Sequence, residues 1–359
     1  MIILCLMQLV CLNVLCLNVS SSFAQSVPIP NGSESRDVAV GETISREVRE
    51  MYDSGLRFLQ KTQNDDGSWR GGESGPGTTG LAVLALLASG EDPNYGPYSS
   101  VIRKALLSIL RVQDTRTGYM GPSMYHHGFA MLAIAEAYGS VDESRLFVGD
   151  DIDAKLSNRS LGETLELAVR CAITAQKKNP HHAWRYSPDA TDADTSVSGA
   201  VLMGLLAARN AGIEVPDSSI DQAIAYFVSM TGDSGMVAYA SSLDGFGEST
   251  ARASIATLVF SIAKRREVAS YATTLKFISS DTDSMDGPWP EYSRYYRAQA
   301  LFQGDVATWE KWNRSLIRKL KEIQTPEGSF RGSLGVSNDT SMALLALALN
   351  FRFLPIYER

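Results

Sequence analysis

Cysteine is nearly absent from the body of this chain. Four occur in 359 residues. Cys5, Cys11 and Cys16 fall in an apolar N-terminal stretch, which leaves Cys171 alone beyond it. One thiol forms no intrachain disulfide, so the fold must hold by packing rather than by cross-links. Cys171 stands among Ala and Val on an amphipathic stretch and reads as a small buried hydrophobe. Histidine is as sparse, four residues in the adjacent pairs His126-His127 and His181-His182. Neighbouring side chains on a helix diverge by about 100°, so neither pair chelates a metal, and no metal or other cofactor is expected. Long runs of Lys or Arg are missing too. With a net charge of −7, the chain has no electrostatic footprint for a nucleic-acid partner. Beyond the N-terminus no apolar run approaches the roughly 20 residues of a membrane-spanning helix.

The N-terminus is the one long apolar stretch. Ile2 to Val19 is broken only by Gln8, Asn13 and Asn18 and carries no charge. Ser22 and Ala24 then supply small residues at the −3 and −1 positions of a cleavage site, so residues 1–24 read as a secretory signal and the protein as exported. Because no Lys or Arg stands near Met1, an uncleaved membrane anchor is the alternative. Residues 25–43, rich in Ser, Pro, Gly and charge, read as a linker.

What is abundant is repetition. Six times an amphipathic helix pattern runs into a turn bearing an aromatic residue, with Gly in five of the six, and an apolar helix follows. The turns are Gln63–Trp69, Gln113–Tyr119, Gln176–Tyr186, Met230–Tyr239, Asp286–Tyr292 and Gln324–Phe330. Their spacing of roughly 50 residues is that of helical-hairpin repeats. In the first outer stretch Ile44, Val48, Met51, Gly55, Phe58 and Leu59 recur at helical spacing, with Arg and Glu between them. The stretch Leu81–Ala88 that follows is apolar on every face and must be buried on every face. Residues 44–359 therefore form an all-α closed ring of six outer and six inner helices around a central cavity. Ser140 to Asn158, acidic at Asp142, Glu143, Asp150, Asp151 and Asp153, reads as a surface loop whose spacing is not that of a helix–loop–helix calcium site.

The turns resemble the terpenoid cyclase and protein prenyltransferase superfamily. Phe58-Leu59-x-x-x-Gln63-x-x-x-Gly67-x-Trp69 looks like the QW repeat of squalene cyclases, and Leu320-x-x-x-Gln324-x-x-x-Gly328-Ser-Phe330 matches with Phe for Trp. The second and third turns are degraded copies. The resemblance spans residues 44–359 and implies an (α/α)6 toroid, in which these repeats are scaffolding. It also singles out Asp192-Ala-Asp194-Thr195, similar to the D-x-D-D-T proton-donor motif of squalene–hopene cyclases with one acid missing. By that resemblance Asp194 is the acid and Asp192 its hydrogen-bonding partner. Thr195 stands where the last acid belongs. The zinc ligands of protein prenyltransferases have no counterpart here.

The residues themselves allow a plainer account. Asp194-Thr195-Ser196 recurs as Asp339-Thr340-Ser341, and Asp at the start of a helix is a good N-cap. Of the residues near the inner-helix starts, His126, His127, Trp184, Tyr186, Trp289, Glu291, Tyr292 and Tyr295 are the candidate ligand-binding set. Their rings could stabilise a carbocation, stack on sugars, line an apolar pocket, or merely plug the ring.

Three functions compete. One is an isoprenoid- or other apolar-ligand-binding toroid, with or without cyclase-like isomerase turnover. The second is a non-catalytic module that binds an envelope protein through its rim. The Cys-Gly-Glu-Gln of complement-type thioester domains is absent. The third is a secreted carbohydrate-active toroid, with Asp192 or Asp194 facing Glu248 or Glu291 across a cleft. An apolar cavity reached by Asp194, a collapsed cavity, and a polar groove between carboxylates tell these apart.

Overall fold

The computed structural model describes residues 46–72, 74–148, 156, 159–240, 250–280, 287, 289–351 and 354–355. The signal segment, the linker, Glu248 and Asp150, Asp151 and Asp153 lie outside them. The chain divides at Thr43, and the unit Ile44–Arg359 is the one described.

Among the described residues the elements are helices: α1 Arg46–Thr62, α2 Pro76–Leu87, α3 Ser99–Val112, α4 Met124–Ala137, α5 Glu143–Leu146, α6 Leu161–Lys178, α7 Thr195–Asn210, α8 Asp217–Ser229, α9 Thr250–Ile262, α10 Ala269–Ser280, α11 Pro290–Gly304, α12 Val306–Ile323 and α13 Val336–Ala348. The short α5 falls inside the stretch read as a loop. Asp142 nucleates it by accepting the Ser144 amide at 2.9 Å. The other twelve helices alternate outer and inner. Inner α2 packs on α4, α4 on α7, α7 on α9, α9 on α11, α11 on α13, and α13 back on α2. The inner ring is thus closed.

The sequence explains the layers. On outer α1 the buried residues Val48, Met51, Tyr52, Gly55, Leu56 and Leu59 make one stripe. All of inner α2 is buried. Small residues let inner axes approach closely: a Cβ on Gly128 of α4 would lie 2.6 Å from the Ala200 backbone of α7. Inner α11 departs from the apolar rule, since Glu291, Arg294, Arg297 and Gln299 are buried on it. Arg297 leaves the ring on the outer side. Its Nη2 donates to the Ile278 carbonyl at 2.7 Å, and its guanidinium lies over the Trp312 ring.

One joint recurs around the ring. The Gln63 amide donates to its own turn at Gly67 O, 3.0 Å, and to the next outer helix at Val101 O, 2.9 Å. Gln113 bridges Gly118 O and Thr164 O in the same way, and Gln176 bridges His182 O and Ser219 O. Gln324 bridges Gly328 O and Met51 O, so it ties the last turn to the first helix. The second and third turns, degraded in sequence, therefore keep the geometry. The turn glycine is required by contact as well as conformation. Gly328 has φ +94°, and a Cβ there would sit 2.3 Å from the Ser54 carbonyl oxygen.

Gln324→Ala should cost roughly 1–3 kcal/mol, because the Gly328 carbonyl loses its side-chain donor and the tie to the Met51 carbonyl at the ring closure is cut. Denaturant unfolding against the exposed control Lys319→Ala checks this. A loss no greater than the control's would mean that the joint does not hold the ring shut.

Candidate functional site

The inner helices begin at one mouth of the ring, where the aromatic turns deliver them. The Trp69 indole donates to Leu59 O at 2.9 Å and the Trp184 indole to Ala172 O at 2.8 Å, each in the preceding outer helix. Trp184 is 1% exposed, so it braces a turn and is not a ligand-facing residue. The histidines are also structural. His126 Nδ1 accepts the Gly77 amide at 3.2 Å and so satisfies a free N–H at the start of α2. His127 Nδ1 accepts the Met120 amide at 3.1 Å, which leaves Nε2 to donate to Ala168 O at 3.1 Å. Burial pushes its pKa down to about 4, and the ring is neutral. No group of three or more His, Cys, Asp or Glu among the described residues is placed to hold a metal ion.

The centre of the ring is filled. In the order α2, α4, α7, α9, α11, α13, helices α4 and α11 stand opposite one another, and their aromatic side chains meet across the axis. Phe129 and Tyr295 have ring centroids 6.3 Å apart, and Tyr125 and Tyr292 lie 6.4 Å apart. Tyr296 packs edge-on to both Tyr292 and Tyr295. The hydroxyls of Tyr125, Tyr296 and Ser196 surround that of Tyr292, whose pKa burial raises to about 12. Of the candidate residues, Tyr292 and Tyr295 thus belong to this plug. The central cavity expected from the repeats is occupied, at this level, by the protein's own rings. Six inner helices packed at glycine-permitted distances leave a narrow axis, and these large side chains span it.

Above the plug lies a small charged cluster. Asp194 caps α7, its Oδ1 accepting the Val197 amide at 2.7 Å. It is fully buried, and burial pushes its carboxyl up to about 6 against the opposing pull of that amide and of Arg185. Asp194 Oδ2 has no hydrogen-bond partner, and Arg185 Nε stands 3.6 Å away. The same Nε is 3.6 Å from Oδ2 of exposed Asp192. Asp192 and Asp194 therefore meet through one guanidinium rather than through a shared proton. That guanidinium lies over the Tyr186 and Tyr239 rings, whose hydroxyls are 2.9 Å apart. Asp339 is different. It lies within the first turn of α13, and its carboxylate accepts the Gly332 and Leu334 amides of the preceding loop. The two Asp-Thr-Ser copies do not share one capping role, because α13 begins three residues before its Asp, at Val336. Glu291 is buried in an ion pair with Arg294, 2.7 Å. Among the described residues, those left for a ligand at this mouth are Asp192, Arg185, Tyr186 (48% exposed), Tyr239, Tyr125 and Trp289 (47% exposed). Sequence reasoning passed over Arg185, Tyr125 and Tyr239. Their signal was the Trp184-Arg185-Tyr186 triplet and the tyrosines closing or opening each turn.

No family model matches the chain, and no curated protein sequence matches it. Among solved structures the chain is similar to the α-1,6-mannanase GH76A of Salegentibacter sp. HEL1_6, an inactive variant in complex with α-1,6-mannotriose. That likeness has a TM-score of 0.58 at 10% identity and covers 85% of this chain and 99% of that one. It is also similar to a protein from Actinoplanes, with a TM-score of 0.52 at 12% identity over 84% of this chain and 98% of the other. The type II terpene cyclase MstE from Scytonema aligns over 86% of this chain and 98% of its own, but a TM-score of 0.32 at 15% identity gives that likeness no weight. At these identities the comparisons show the fold alone. The fold is the all-helical α/α toroid.

Asp194 holds its proton more tightly folded than unfolded, since its pKa is raised from 3.8 to about 6. Its burial therefore costs nothing at low pH and costs progressively more as pH rises from about 4 to 6. Asp194→Asn keeps an acceptor for Val197 and does not ionise. Its melting temperature relative to the parent should climb across that interval and then level off. A difference that stays flat with pH would contradict the buried, proton-retaining carboxyl.

Proposed function

We propose that this chain is an exported carbohydrate-binding toroid, which receives a neutral glycan at the N-terminal mouth of its inner ring. The observation that carries the reading is the tyrosine plug with the polar, aromatic rim above it. A polyprenyl chain needs a deep apolar cavity that removes most of its surface from water. Here the axis is filled, and what faces outward is Trp289, Tyr186, Tyr hydroxyls, Asp192 and Arg185. Flat rings beside hydrogen-bonding groups suit a polyhydroxylated ring with an apolar face. Arg185 is paired with Asp192 and Asp194, so it is not a free cation for an acidic sugar. The mannanase of similar fold was captured with a mannose trisaccharide, which supports the ligand class and transfers no residue. Export rests on the N-terminal segment. Hydrolysis would need two carboxylates facing a substrate. Among the described candidates Asp192 is exposed, whereas Asp194 and Glu291 are buried, and Glu248 lies outside the described residues, so the reading is one of binding. Calorimetric titration with a panel of neutral oligosaccharides should find a ligand whose affinity falls about tenfold or more with Trp289→Ala or Tyr186→Ala. If no neutral glycan binds, or if both variants bind as the parent does, the reading fails.

Asp194 favours one other reading. A carboxyl with a pKa near 6 and an unbonded oxygen, close to Tyr239 and Tyr292, is a proton donor beside π faces that suit a carbocation. That is the cyclase-like isomerase suggested by the motif, with Asp194 as acid and Asp192 acting on it through Arg185. It requires the plug to open for an isoprenoid. Native mass spectrometry after exposure to a membrane lipid extract distinguishes the two. A retained isoprenoid of altered mass, lost in Asp194→Asn, would replace the glycan reading, and the absence of any adduct would dispose of this one.

A further inference from the structure

We propose that the opposite face of the ring is a docking groove for a basic peptide segment. The groove holds about 650 Å³ and is built where the inner helices α2, α4 and α7 end. Leu87, Ala135 and Ala207 from their last turns lie in its wall, with the loops that follow them. Three kinds of feature there favour a cation. Helix C-termini present the negative ends of their dipoles. Glu91, Asp92 and Glu136 line the groove, while no Lys or Arg is among its described lining residues. Tyr138, 37% exposed, adds an aromatic face of the kind cations approach.

The rest of the lining says what carries the cation. Leu87, Ala207, Ala211, Leu354 and Pro355 form an apolar surface suited to the alkyl stem of Lys or Arg. The groove spans three helices, which fits an extended segment better than a single small amine. Its far end adjoins, through Pro93 and Asn94, a second pocket of about 380 Å³ lined by Arg103 and Arg145. The basic residue therefore sits beside Glu91 and Asp92 inside the groove rather than in that second pocket. This site lies at the far end of the inner helices from the sugar-binding mouth and does not depend on that reading.

Fluorescence anisotropy of a labelled octapeptide of alternating arginine and alanine tests the proposal on the full chain. The arginine peptide should bind at low salt, weaken as salt rises, and outbind the same peptide with glutamate for arginine. Glu91→Lys combined with Asp92→Asn should weaken binding at least about tenfold. Asn at position 92 keeps an oxygen for the Asn94 and Tyr95 amides, which Asp92 now accepts at 2.7 and 3.2 Å. Glu91→Gln alone should give a smaller loss, and Asp192→Lys at the other mouth should give none. The proposal is overturned if the arginine peptide does not bind, if the double variant binds it as the parent does, or if Asp192→Lys weakens it equally. Competition by free arginine at the peptide's own concentration would also overturn it, in favour of a small-cation pocket.

Discussion

Everything in this ring depends on how one helical hairpin is fastened to the next. The fastening is a glutamine amide held between two carbonyls, one in its own turn and one in the first part of the following outer helix. In three of the joints a turn glycine, Gly67, Gly118 or Gly328, lies directly against that helix backbone, and in the Gln176 turn His182 takes the positive φ instead. Gln63, Gln113, Gln176 and Gln324 each make the bridge. The helix carbonyl in each bridge already accepts an amide of its own helix, so the glutamine fills its second lone pair and ties the turn to that helix. Because the last of the four reaches Met51, the same local chemistry that joins neighbours also shuts the circle. No cross-link is needed, and Cys171 has no cysteine partner among the described residues.

Closure then dictates what the interior can be. Inner helices held at glycine-permitted distances leave a thin axis, and Phe129, Tyr125, Tyr292 and Tyr295 fill it from opposite sides. Tyrosine is suited to that place, since its ring fills volume while its hydroxyl can meet other hydroxyls at the wet end. The consequence is functional. In the reading proposed above a toroid whose axis is plugged works at its faces, and the two faces differ in chemistry. One is a rim of aromatic rings and a shared guanidinium. The other is a groove ringed by acidic side chains and helix C-termini.

Asp194 shows how one residue can satisfy two accounts at once. As a cap it accepts the Val197 amide, which is ordinary. As a buried carboxyl at about 6 it is also far from an ordinary surface aspartate. The cap explains why it is there. Burial explains its raised pKa, against the opposing pull of Arg185. Neither requires catalysis, and the exposed neighbour Asp192 is the acid that a ligand at this mouth would meet.

The toroid itself was legible from the chain. In the first and last turns Gln, Gly and an aromatic at fixed offsets encode the joint, and an all-apolar stretch such as Leu81–Ala88 admits only an inner position. Those are local rules, which a sequence can state completely. What occupies the axis was not legible, because Tyr125 and Tyr292 are remote in the chain and meet only after the ring has closed. The same holds for Arg185, whose charge is shared by Asp192 and Asp194 only once its turn is folded over the start of α7. The Asp-Thr-Ser repeat pointed to one role twice, and tertiary structure divided it, since α13 begins ahead of Asp339 while α7 begins just after Asp194. Periodicity determines which residues are buried. Which buried residues touch is decided by closure, a property of the whole ring.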